Sequence, residues 1–144
     1  MTADPPLTKV AWRALLVVTL FDALSAIGGG VAMLLTDGLG MPKRFLDDSP
    51  FGSFVIPAII LITVLGGTQA LAALLLIARR PSALLWSAIA GLGMIIWILV
   101  ETVFVRGFGL LQGLYFGTGV HEVALVLALL GIVSWLPRMR GPRE

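Results

Sequence analysis

Residues 110–136 read LLQGLYFGTGVHEVALVLALLGIVSWL. This run is long enough to cross a bilayer, whose hydrocarbon core of about 30 Å takes about 20 residues of helix. Near its middle stands His121, the only histidine of the chain, followed directly by Glu122. Ionisable groups at that depth are costly in hydrocarbon and have to be turned toward protein or water.

Three further apolar runs precede it, at residues 14–35, 54–78 and 83–104. Hydrophobic residues make up 58% of the 144, charged residues only 12%, and the mean hydropathy is +1.03. A soluble domain of this size cannot hide that much apolar surface, so the solvent that suits it is lipid. The chain has no cysteine, which excludes disulfides, thiolate metal sites and thiol redox chemistry. A net charge of +2 and a pI near 9.7 raise the question of nucleic acid. The basic residues sit in short clusters beside apolar runs, the arrangement of membrane topology signals, so no nucleic-acid partner is expected. The expected partner is the lipid bilayer.

The connections are short. Residues 1–13 form a polar lead in which Asp4-Pro5-Pro6 resists helix. A signal peptide is the rival reading of the first run. Asp22 interrupts that run and no small-residue cleavage site follows, so a retained membrane helix is expected. The longest loop, residues 36–52, contains Asp48-Ser49-Pro50, which reads as a helix start. Asp47 and Asp48 are expected to cap the second helix, and Phe45, Leu46 and Phe51 to lie at the interface. Pro57 is tolerated in the first turn. The pattern predicts an all-α membrane protein: four transmembrane helices in one antiparallel up-down bundle. Seven basic residues, Lys9, Arg13, Arg79, Arg80, Arg138, Arg140 and Arg143, fall on one side, against Lys43, Arg44 and Arg106 on the other. Both termini are therefore expected in the cytoplasm, with Trp12, Trp86 and Trp135 near that boundary.

A helix turns about 100° per residue, so faces follow from spacing. In the first run Thr19, Asp22, Ser25, Ala26, Gly29 and Met33 share a face opposite Leu16, Val17, Leu20, Leu24, Ile27 and Val31. In the second, Ala58, Ile62, Gly66, Gln69 and Ala73 oppose Ile60, Val64, Leu71 and Leu74. In the third, Ser87, Ala90, Gly91, Met94, Trp97 and Glu101 oppose Leu85, Ile89, Leu92, Ile96 and Val103. Each helix thus has an aliphatic face for lipid and a small-residue face bearing one strong polar group. Small residues let helix backbones approach closely. The fourth run differs. Gly113, Gly117, Ala124, Ala128 and Gly131 form a small stripe, and Gln112, Tyr115, Thr118, Gly119 and Glu122 lie roughly opposite. The stripe is the expected contact of a homo-oligomer or of another helix of the bundle.

Asp22, Gln69, Glu101, His121 and Glu122 form the candidate intramembrane polar site, with Glu101 and Arg106 as a candidate outer gate. Asp22, His121 and Glu122 are candidates to carry protons, since histidine titrates near neutrality. The plainer reading is that these groups are hydrogen-bonding glue between helices. His121 and Glu122 leave the helix about 100° apart and do not read as one dyad. For the same reason no metal site is expected. No nucleophile motif occurs, and Gly28-Gly29-Gly30 lacks the Lys-Ser/Thr of a phosphate loop, so no cofactor is expected.

The Ser-Pro-Phe at residues 49–51, Pro57, the Gly66-Gly67 pair and the segment from Trp97-Ile98 to Glu101 resemble a group of small bacterial four-helix membrane proteins. That resemblance implies a bacterial cytoplasmic membrane and no particular activity. Size and helix count also resemble the small multidrug exporters, which carry an essential carboxylate in the first helix. Asp22 is the position that matches, although the surrounding residues differ. Three functions follow as expectations. The first is a binding, accessory or scaffold component. The second is a small proton-coupled transporter using Asp22 or Glu122. The third is an intramembrane enzyme on a lipid-like substrate using His121 and a carboxylate.

Overall fold

The computed structural model describes residues 6–47 and 49–131. Four helices in it are long and apolar enough to cross a membrane: α1 (Pro6–Leu35), α2 (Val55–Ile77), α3 (Ala83–Val105) and α4 (Leu110–Leu129). No strand occurs among the described residues. Each helix packs against its chain neighbours and α4 returns to α1, so the helices form a square in chain order. One end carries the long loop, with its short 3₁₀ turn at Lys43–Leu46. The other carries the Arg79-Arg80 turn. These are called the loop end and the arginine end.

Several boundaries depart from the sequence expectation. The first helix begins at Pro6 and not at residue 14. Proline is harmless in a first turn, where its missing N–H has no helical partner anyway, so Pro6 stands in the first turn of the helix it is expected to delay. The second helix begins at Val55 without a side-chain cap. Ser49 instead shapes a turn: its hydroxyl donates to the Leu46 carbonyl at 2.9 Å and its Oγ accepts from the Phe51 amide at 3.2 Å. Asp47 closes the 3₁₀ turn rather than capping α2, and Asp48 lies outside the described residues. α4 ends at Leu129, followed by Gly131 at φ +76°; residues 132–136 of the expected helix lie outside the described residues.

The middle of α2, Leu61–Gly66, is a π-helical stretch. Its wider turns loosen the backbone ladder. Thr63 within it and Thr68 just after it donate their hydroxyls to the carbonyls of Ile59 and Val64, both at 2.7 Å. At the loop end, α4 starts on Gly109, whose amide donates to Gln112 Oε1 at 3.1 Å.

The expected faces are present. Val17, Leu24, Val64, Leu74, Leu85, Ile96 and Val103 are exposed, while Thr19, Asp22, Ala26, Ala58, Gln69, Ala73, Ser87, Ala90 and Met94 are buried. An exterior this apolar suits lipid. The helices come closest at two glycine crossings. A Cβ built on Gly119 would lie 2.9 Å from the Gly91 carbonyl oxygen, and one on Gly30 would lie 2.9 Å from that of Ala58. Gly117, two residues from Gly119, meets nothing.

Gly119→Ala is therefore expected to destabilise the bundle by about 1–3 kcal/mol, because the backbone of α3 has to move. Gly117→Ala is expected to be neutral or slightly stabilising. Unfolding in detergent, followed by circular dichroism, measures both.

Candidate functional site: a polar layer and an apolar cavity

The inward faces stack in layers. Leu15, Leu76, Ala83 and Val126 form an apolar layer toward the arginine end. Ala26, Leu65, Met94 and Ile98 form another toward the loop end. Between them lie Thr19 and Asp22 on α1, Gln69 on α2, Ser87 on α3 and Glu122 on α4, all fully buried. Periodicity explains the grouping, since these residues continue the small-residue faces by one turn.

Glu122 is the hub of this layer. Gln69 Nε2 donates to Glu122 Oε2 at 2.8 Å, across the diagonal of the square. Thr19 Oγ1 lies 2.9 Å from Glu122 Oε1 and 2.7 Å from the Leu15 carbonyl oxygen. The bare face of Gly91 makes room on the third side, where an added Cβ would fall 3.2 Å from that of Glu122. The Asp22 oxygens, Gln69 Oε1 and Ser87 Oγ are buried and have no hydrogen-bond partner. Thr118 approaches Asp22 from α4, but its hydroxyl donates to the Tyr115 carbonyl at 2.9 Å.

Three of the five candidate residues thus come together: Asp22, Gln69 and Glu122. His121 does not join them. It is exposed on the outer face of α4 with Gly117, Ala124 and Ala128. An acid–base pair of His121 with a core carboxyl has no geometric support. Glu101 is also separate. It lies toward the loop end, where its Oε1 accepts from Gln112 Nε2 at 3.0 Å. Arg106, the other member of the expected gate, occupies the exposed left-handed C-cap of α3 at φ 51°. Among the described residues, no three of His, Asp and Glu gather as a metal-binding group.

Beyond the upper apolar layer the bundle opens. A cavity of about 640 Å³ lies between the loop-end halves of all four helices and the long loop. Its walls are mostly apolar, among them Met33, Phe45, Phe51, Leu61, Trp97 and Phe104. The polar groups facing it include Ser25, Glu101, Gln112 and Tyr115. Gln112 has two duties: its oxygen caps Gly109 and its amide holds Glu101. The spacing of Gln112 three residues after Gly109 was a readable helix-start signal. Thr19, one turn before Asp22, was likewise readable as a neighbour of the site. The contact from Thr19 to Glu122, distant in sequence, was not. No family model matches the chain, and no curated protein or solved structure is significantly similar to it.

Removing the hub side chain strands its partners. Glu122→Ala is expected to cost about 1–3 kcal/mol, because the buried Gln69 amide loses its acceptor. Glu122→Gln keeps size and hydrogen bonds and is expected to cost less, and His121→Ala to cost nothing measurable. Thermal unfolding of the three variants in one detergent provides the comparison.

Proposed function

We propose that the chain is an integral membrane protein that works by binding a lipid-like amphiphile in the loop-end cavity. The observation that carries this reading is the cavity of about 640 Å³ with the Glu101–Gln112 hydrogen bond on its wall. An apolar space of this size takes a drug-sized or chain-like molecule, and a few placed polar groups fix its orientation. The Glu101 carboxyl, with Gln112 and Trp97 beside it, accepts a hydrogen bond from a hydroxyl head. A carboxylate head is disfavoured there because no described basic side chain lines the cavity to receive it. The long loop supplies Phe45 and Phe51 to the cavity and covers the head of the ligand.

This is the binding or accessory role expected from the sequence, with the ligand class now stated. The bias of basic residues toward the arginine end supports an orientation with the loop end outward, in a bacterial cytoplasmic membrane. A ligand would then enter from the outer leaflet.

The test uses a variant with Trp97 as its sole tryptophan and a brominated long-chain alcohol as probe. The alcohol is expected to quench Trp97 saturably, and the brominated acid of equal length to quench it more weakly. Gly29 lines the cavity, with open space beyond its contact to Leu61. Gly29→Phe is therefore expected to weaken alcohol binding by roughly tenfold or more. Gly117→Phe, on the outer face, leaves it unchanged. Non-saturable quenching that Gly29→Phe does not alter would show that the cavity holds no ligand.

A further inference from the structure

Two carboxyl groups, Asp22 and Glu122, share the polar layer, and both are fully buried. They lie within electrostatic reach of each other. The groups that face them are neutral on every side: Thr19 on α1, Gln69 on α2, Ser87 and the bare face of Gly91 on α3, and Thr118 on α4. Every described lysine and arginine is exposed, and so is His121. No described side chain therefore supplies a counter-charge. Two unpaired anions in an interior wrapped by hydrocarbon are prohibitively expensive.

The hydrogen bonds point the same way. The Thr19 hydroxyl has one hydrogen, yet its oxygen lies 2.7 Å from the Leu15 carbonyl oxygen and 2.9 Å from Glu122 Oε1. With an ionised Glu122, one of those contacts is a bare approach of two acceptors. With a proton on Glu122 Oε1, both are hydrogen bonds, because Oγ1 accepts from the acid and donates to the carbonyl. Independently, Gln69 Oε1 is an unpartnered acceptor inside the same layer, since its own amide nitrogen is bonded to Glu122. Both Asp22 oxygens are unpartnered acceptors as well. Three acceptor oxygens of the layer thus meet no donor, and the one spare hydroxyl there, that of Ser87, reaches none of them.

We propose that this layer is a proton-binding site: Glu122 carries a proton on Oε1 and donates it to Thr19 Oγ1, and Asp22 is a second neutral acid beside it. The ligand class is the hydron itself. The relay runs from Glu122 through Thr19 to the Leu15 carbonyl, with Gln69 Nε2 holding the other acid oxygen. The site stands whether or not the loop-end cavity binds an amphiphile.

Infrared spectra of the full chain in phospholipid bilayers at neutral pH test it. Glu122→Gln and Asp22→Asn are each expected to remove a deuterium-sensitive band from the protonated-carboxyl carbonyl region. Thr19→Val, nearly isosteric, removes the acceptor and is expected to shift the Glu122 band to higher wavenumber. Loss from the carboxylate region in either acid variant overturns the proposal, whether a sodium ion or nothing replaces the proton. So does a Thr19→Val spectrum with the carbonyl band unmoved. Because Thr19→Val keeps both acids, its spectrum decides the matter even if an acid variant does not fold.

Discussion

The hydrogen bond from Gln69 on α2 to Glu122 on α4 joins two helices that stand diagonally across the bundle and do not pack side by side. Thr19 ties the same carboxyl to α1. The side chain fits only because α3 presents Gly91 at that level. Lipid gives no hydrophobic reward for bringing helices together, so packing and polar contacts must set which helices meet and at what depth. One buried acid sets the register of three helices, and a glycine on the fourth admits it.

That arrangement divides the interior. The polar layer is sealed by apolar side chains on both sides, and beyond the loop-end seal the bundle spreads into a cavity. The two regions carry different chemistry. The layer is closed, and several of its polar atoms meet no partner. The cavity is open, greasy and edged by one anchored carboxyl. Tyr115 links them along α4: it lines the cavity, stacks on Phe21 at a 6.2 Å centroid separation, and lends its carbonyl to Thr118 beside Asp22.

Much of this was legible in the residues. Four apolar runs, their small-residue faces and the inward direction of Asp22, Gln69 and Glu122 all follow from length and a 3.6-residue period. The glycine crossings follow from the same faces, although which glycines touch does not. Other features were hidden because they depend on contacts distant in sequence or on backbone detail. Glu101 is expected near the outer boundary and lies at the loop end, but nothing local shows that Gln112 is its hydrogen-bond partner there. The face of a residue is a local property, but its depth partner depends on how the helices slide. Pro6 resists helix as an interior residue but not in the first turn, where it stands. The long loop gave no periodic signal that it would wall a cavity.

The π-helical stretch of α2 carries a consequence for how this bundle could have arisen. A turn closed by i→i+5 bonds holds one residue more than a turn of α-helix. Such a turn takes up its extra residue by winding less per residue, so removing one residue from Leu61–Gly66 would restore regular winding and leave the faces on either side nearly where they are. Phe54 and Pro57 would still face the cavity, and Gln69 would still hold Glu122. The second helix thus joins a half committed to the cavity to a half committed to the acid layer, and the wide turn between them accommodates one residue without turning either half away.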